Sequence, residues 1–306
     1  MTNNTALNKL VIVGVGLIGG SFALALRNAG LAKHIVGAGR SLPNMQRAVE
    51  LGVIDEIATD TASALHNADL VFLAMPVGQT AAVMAQIAPH LQIGTLITDA
   101  GSTKQDVIAA AKQHLPPQCL QYFVPGHPIA GAEQSGVNAA QADLYRDKHT
   151  ILTPLSETGI NATEQIRQLW QACGSIVSIM PAAEHDQVLA ATSHLPHILA
   201  FTLMNHLNRS TGTPENLLRF AGSGFRDFTR IASSSPEMWR DICLANRDEL
   251  LKQIEAYREE LEAMQEMLRK NDGETLEQAF SQARNIREGW LKNKKTVTQI
   301  KTEPAK

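Results

Sequence analysis

Short apolar runs punctuate the first 180 residues at regular intervals. They are Leu10–Val13, Ile35–Ala38, Leu70–Met75, Thr95–Thr98 and Gln121–Val124, followed by Thr150–Thr153 and Ser175–Ile179. The early runs are continuous rather than alternating, as in strands of a parallel sheet covered on both faces. Segments with helical spacing lie between them, at Ile18–Ala29, Asn44–Leu51, Gly78–Ala88, Lys104–His114 and Ala162–Ala172. Gly30 and Gly52 stand just past two of these helices, where a left-handed residue is wanted. The alternation predicts an α/β domain with a doubly wound, mainly parallel sheet.

After Pro181 the strand pattern stops. Glu184–Leu207 and Pro236–Lys270 read as long helices, and Pro196 should kink the first by removing a backbone N–H. Leu250, Ile254, Tyr257, Leu261, Met264 and Leu268 repeat at alternating spacings of four and three. That seam is either an intrachain packing stripe or a face set against a second subunit. Asn293–Lys306 is polar and lysine-rich and reads as a loose tail. The expected domains are residues 1–180 and 181–292, with the tail at 293–306.

Composition narrows the class. Hydrophobic residues at 44% can build a sizeable core, and charged residues at 19% exclude a disordered chain. A formal net charge of -3 argues against nucleic acid as a partner. Cys119, Cys173 and Cys243 match no metal-ligand spacing and suit a reducing compartment. No apolar stretch reaches the roughly 20 residues of a membrane span, and Met1–Asn8 is polar, so the cytoplasm is the expected location.

The first apolar run leads into Gly14-Val15-Gly16-Leu17-Ile18-Gly19, which opens a helix. In such a turn the first glycine allows the tight bend, the second a close approach to a pyrophosphate, and the third close helix–strand packing. The helix N-terminus adds unpaired N–H groups and the positive end of a dipole. An NAD site usually carries an acid at the end of the second strand, for the ribose 2′-hydroxyl. Here Gly39 holds that place, followed by Arg40 and Ser41, and no acid occurs between Gly14 and Val49. A guanidinium and a hydroxyl suit a 2′-phosphate, so NADP is expected over NAD; the alternative is that Arg40 stacks on adenine and both work. With Pro76 past the third run, the glycine turn, Arg40 and Ser41 make up the expected cofactor-binding set.

Three further motifs carry chemistry. Asp99-Ala100-Gly101-Ser102-Thr103-Lys104 and Gly126-His127-Pro128-Ile129-Ala130-Gly131 each follow an apolar run, and Gly224–Arg230 lies in the helical half. Ligands of doubly wound sheets bind beyond the carboxyl ends of the strands. Read with the glycine turn, His185, Ser193–His197 and Met238–Asp241, these motifs resemble the prephenate/arogenate dehydrogenase family of tyrosine biosynthesis. The resemblance runs from about Leu10 to Arg287. It implies a Rossmann domain followed by an all-helical dimerisation domain, hence a homodimer through the C-terminal helices. It also implies oxidative decarboxylation of prephenate and/or arogenate to 4-hydroxyphenylpyruvate and/or tyrosine, with hydride transfer to NAD(P).

By the same resemblance His127 is the catalytic histidine, and Ser102 hydrogen-bonds the same substrate hydroxyl. On the residues alone, His127 could equally cap a turn before Pro128, and Ser102 could cap the following helix. The resemblance favours Arg230 for the ring carboxylate; Arg226 competes for it or pairs with Asp227. His197 matches a substrate-pocket histidine, and Glu133 would gate the pocket or touch the substrate side chain. Lys104 reads as a solvated helix residue, and His194 as a core histidine satisfied by the carbonyl that Pro196 frees. No metal is expected: nothing completes a ligand set around His185, His194 and His197, and hydride transfer needs none. A β-hydroxyacid dehydrogenase or imine reductase shares this layout, but the former type places a lysine on the first helix of the second domain, and Glu184–Leu207 has none. A non-catalytic dinucleotide sensor would need neither His127 nor Arg230. Prephenate and arogenate differ by one ammonium group, which the carboxylate of Glu133 or Asp227 could accept.

Overall fold

Six parallel strands form the main sheet: β1 (Leu7–Val13), β2 (Ala32–Ala38), β3 (Glu56–Ile57), β4 (Leu70–Leu73), β5 (Leu96–Asp99) and β6 (Phe123–Val124). The computed structural model describes residues 6–131, 134–210 and 218–300. Strand order is β3-β2-β1-β4-β5-β6, the doubly wound order of a Rossmann domain, with its reversal between β1 and β4. The crossovers carry α1 (Leu17–Asn28), α2 (Leu42–Glu50), α3 (Thr61–Leu65), α4 (Thr80–Ile87) and α5 (Gln105–His114).

Side chains leave the strands on alternate sides, and both sides are covered. Leu10, Ile12, Leu70 and Phe72 enter one cluster with Phe22, Leu26 and Trp170. Val11, Val71 and Leu73 enter the other with Met84, Ile97 and Val107. Continuous apolar runs are the result. Trp170 of α6 (Ile160–Ala172) meets the rings of Phe22, Phe72 and Tyr145, and the Tyr145 hydroxyl donates to the Ile18 carbonyl at 2.6 Å. That bond ties the chain beyond the His127 motif to the first turn of α1.

A second sheet departs from the sequence expectation. Thr150–Thr153 and Ser175–Ile179 do not extend the main sheet. They appear as β8 (His149–Leu152) and β9 (Ile176–Ile179), parallel to one another, with β7 (Gly126–Pro128) antiparallel to β8. Gly-His-Pro has no apolar run, so nothing in its pattern marks it as a strand. His127 thus sits on a strand rather than in a turn.

Beyond Pro181 the described residues hold helices and no strand. The expected helix at Glu184–Leu207 is α7 (Ala182–Leu189), a π turn (Ala190–His194) and α8 (Leu195–Ser210). The irregularity lies just before Pro196, where the proline ring and its missing N–H oppose regular bonding. Then follow α9 (Ser223–Thr229), a 3-10 turn (Arg230–Ser233) and α10 (Pro236–Ala245). Asn246 separates α10 from α11 (Arg247–Arg269), so the expected single helix at Pro236–Lys270 is two.

The chain clusters into two compact units, residues 1–250 and 251–306. The second holds most of α11 and α12 (Gly273–Ile300), whose backbone stays helical well into the segment expected to be a loose tail. Ile254, Tyr257, Leu261 and Leu268 of the heptad seam are exposed, as are Phe280, Ile286 and Trp290. No helix among the described residues is long and apolar enough to cross a membrane.

Candidate active site

The glycine turn lies at the sheet's reversal point, and its glycines have separable reasons. Gly14 has φ +98°, and a Cβ there would come within 2.7 Å of the Ala74 carbonyl. A Cβ on Gly19 would meet the Gly14 oxygen at 2.2 Å. On Gly16 it would meet nothing within 4 Å, so the space beside the helix N-terminus is open to a bulky group. Gly16 is the N-cap of α1; no side chain caps the helix and its first turn carries no acid. These features fit a pyrophosphate. At the end of β2, Arg40 is exposed, and Ser41 caps α2 by accepting from the Asn44 N–H at 3.4 Å. A Cβ on Gly39 would press on Met45 at 3.0 Å. Pro76 begins the turn after β4, across the reversal.

Beyond the adjacent strands lies a buried chain of polar groups. Asp186 Oδ1 accepts from His185 Nδ1 at 2.8 Å. His185 Nε2 meets His127 Nδ1 at 2.8 Å. With Asp186 as a carboxylate, its partner nitrogen on His185 carries the proton, so His185 Nε2 accepts and His127 Nδ1 donates. His127 Nε2 is then left as an acceptor. Burial first, then His185, Lys104 and His194, push the pKa of His127 well below its ordinary value. Burial opposes ionisation of Asp186, but hydrogen bonds from His185 and from the N–H groups of Gln105 and Lys104 hold its carboxyl below the usual value. Those two backbone bonds, at 2.9 and 2.8 Å, cap the start of α5. The cap comes from 82 residues away in the chain, and Ser102 instead sits half-buried on the bend before the helix.

The helical half contributes a second cluster. His197 stacks on Trp239, ring centroids 3.6 Å apart, and its Nδ1 donates to the Ser193 carbonyl at 2.8 Å. Its Nε2 is therefore an acceptor. Burial, then the positive charge of Arg230, lowers its pKa against the opposing Ser193 bond. Arg230 itself is exposed at the head of the 3-10 turn. Trp239 packs with Val77, in the turn that Pro76 begins, and so joins this cluster to the cofactor side. Asn246 Nδ2 donates to the Asp186 carbonyl at 2.7 Å and faces His194 Nδ1 at 3.1 Å, which links the cluster to the His127 chain.

The structure thus gathers His127, His185 and Asp186 around one face, and His197, Trp239 and Arg230 around another. Arg226 lies outside both, exposed and 3.8 Å from Asp227. Glu133 falls outside the described residues. Two expectations need correction. His194 takes Asn246, not a carbonyl freed by Pro196, as its partner. Lys104 is not solvated: it is fully buried and paired with Asp99. Sequence reasoning missed Asp186, Trp239 and Asn246, which the structure sets against His185, His197 and His194. The adjacent His185-Asp186 pair was the one local signal of a polarised imidazole.

Comparison with known proteins gives a consistent family. Residues 22–179 match the model described as prephenate dehydrogenase, nucleotide-binding domain, and residues 181–282 that described as prephenate dehydrogenase, dimerization domain. The chain is 39% identical to a prephenate dehydrogenase of Bacillus subtilis, over 94% of this chain and 77% of that one. It is 34% identical to a cyclohexadienyl dehydrogenase of Zymomonas mobilis, over 92% and 96%. Among solved structures, prephenate dehydrogenase from Aquifex aeolicus in complex with hydroxyphenyl propionate and NAD+ superposes with a TM-score of 0.87 at 36% identity, covering 93% of this chain and 98% of that one.

Proposed function

Because the chain belongs to the prephenate dehydrogenase family in both halves of its length, we propose that His127 is the base in an oxidative decarboxylation of prephenate or arogenate. The chain is an oxidoreductase with a nicotinamide dinucleotide as cofactor. The observation that carries the assignment is the Asp186–His185–His127 chain, which leaves Nε2 of a buried, neutral imidazole as an acceptor. Residues 1–180 hold the dinucleotide in this reading, and 181–292 supply substrate contacts and the subunit interface.

The substrate ring bears a carboxylate and, on the opposite carbon, a hydroxyl. When bound, the dinucleotide accepts the hydride of that carbinol carbon. His127 Nε2 takes the hydroxyl proton as the carbonyl forms, and the imidazolium is stabilised through His185 by Asp186. The carboxylate leaves as carbon dioxide, and its electron pair runs through the ring to the same oxygen. That oxygen recovers its proton from His127 as the phenol forms. Ser102 donates to the hydroxyl oxygen and holds it against His127. Arg230 grips the ring carboxylate, a planar fork matched to two oxygens; Arg226, already near Asp227, is the weaker candidate. His197, fixed by Ser193 and Trp239, offers Nε2 to a substrate donor, and Glu133 contacts the side chain.

NADP is the preferred cofactor in this reading, because Gly39 supplies no acid for a 2′-hydroxyl while Arg40 and Ser41 suit a 2′-phosphate. The exposed seam of α11 and the exposed apolar residues of α12 support a homodimer through the C-terminal helices, since large apolar side chains repeated along a helix call for a covering surface. The test is kinetic. Protein is mixed with prephenate or arogenate and with NADP or NAD, and absorbance of the reduced nicotinamide is followed beside released carbon dioxide. Equal yields of both products are expected. No reduction with either substrate would favour a dinucleotide sensor, and a clear preference for NAD would sink the cofactor assignment.

A further inference from the structure

An ion pair that the chemistry above does not use lies beneath His127. Lys104 is 0% exposed and Asp99 2%, and they bond to one another. Burying two charges costs several kcal/mol per ion, which the attraction repays only when further hydrogen bonds satisfy both groups. The Gly101 N–H donates to Asp99 Oδ2 at 2.7 Å, and two further bonds, one from each partner, converge on one residue. Asp99 Oδ1 accepts the Gly126 N–H at 3.0 Å, and Lys104 Nζ donates to the Gly126 carbonyl at 2.8 Å. Gly126 is the residue before His127.

The surroundings explain why such a clamp is needed. β7 is three residues long, and its ladder partner is β8; the main sheet does not extend to it. Its other side faces the end of β5, where a Cβ on Gly126 would stand 3.1 Å from the Asp99 carbonyl oxygen. Side chains there supply the bonds that a neighbouring strand would otherwise make. Lys104 also reaches His127 by a second route. Its backbone N–H donates to Asp186 Oδ1, which holds His185, which holds the His127 ring. Lys104 therefore closes a ring of bonds, gripping the backbone of the β7 strand through Nζ and the imidazole through its main chain.

We infer that the Asp99–Lys104 pair is a positioning device for His127, fixing the strand so that the imidazole can hold His185 and still present Nε2 to substrate. This rests on His127 being the base. The groups acting on His127 are His185 on α7, Lys104 before α5 and His194 in the π turn; Asp186 stands behind His185, and Asp99 behind Lys104 and the Gly126 N–H.

The test uses Asp99→Asn/Lys104→Met, which removes both charges together, and Lys104→Gln, which keeps a donor without the charge. In the double variant, kcat is expected to fall on the order of 10- to 100-fold, the scale of a displaced catalytic group. KM and dinucleotide Kd should change less than about threefold, as expected when only transition-state contacts are lost. In Lys104→Gln the acid limb of kcat/KM should move to higher pH, because a cation that disfavours imidazolium is gone. If the double variant does not fold, the single variant decides by its kcat and pH profile. Unchanged kcat, or parallel loss of kcat, KM and cofactor binding, would overturn the inference. His127→Asn separates the two claims. If it is inactive while the clamp variants are normal, only this inference fails; if it is active, the base assignment fails as well.

Discussion

Replacing Asp186 by Asn exchanges one oxygen for an amide where three donors meet. Oδ1 takes the Lys104 N–H and His185 Nδ1, each at 2.8 Å, and Oδ2 takes the Gln105 N–H at 2.9 Å. Asparagine has a single acceptor oxygen. If its amide faces Gln105, two donors oppose one another and a helix cap is lost, at about 1–3 kcal/mol of stability. If the amide faces His185, that ring must accept at Nδ1 and carry its proton on Nε2. His127 Nδ1 would then accept, its proton would move to Nε2, and the base would be gone. Either way the charge that stabilises the imidazolium is removed. General-base catalysis contributes typically ~10²- to 10⁴-fold, so kcat should fall by at least about 100-fold, near 2.7 kcal/mol in barrier. Steady-state absorbance of the reduced nicotinamide gives kcat, and fluorescence titration gives dinucleotide Kd, which should hold within about threefold. Wild-type kcat within about threefold, in a folded variant, would refute the polarity assigned to the chain.

Arg230→Ala should mainly raise KM, by roughly 10- to 100-fold, the worth of a charge-assisted bidentate contact; an unchanged KM with lost kcat would place Arg230 elsewhere in the mechanism. Stability should fall on acidification. His127, His194 and His197 all have lowered pKa values, so their contribution is complete above about 6.5 and is lost as pH falls. For His194, buried to a pKa of about 4, the share is about 3 kcal/mol, exhausted near that pH. Thermal unfolding between pH 7 and 4 checks this, and a flat Tm would contradict it.

What was legible in the chain follows from local pattern. Both faces of the main sheet are buried, so β1, β2, β4 and β5 announced themselves as apolar runs. Gly14 and Gly19 could be read because each answers a close backbone approach. β3 has two residues and no run, and β7 is held by a neighbouring strand and by Asp99 and Lys104 rather than by its own pattern. Polarity made Lys104 look solvated, because its partner Asp99 is five residues back and its burial depends on a tertiary arrangement. The Asp186 cap on α5 joins segments far apart in the chain, a link that no spacing rule reaches. Asn246 ends α10 while its side chain binds the Asp186 carbonyl, so the break reflects packing and not helix propensity.

His127→Asn puts the base assignment to the most direct test, since it removes the acceptor at Nε2 while leaving the glycine turn untouched. Turnover should fall by ~10²-fold or more, with dinucleotide Kd close to wild type. Near-normal turnover in that variant would contradict the role of His127 and of the hydrogen-bonded chain behind it.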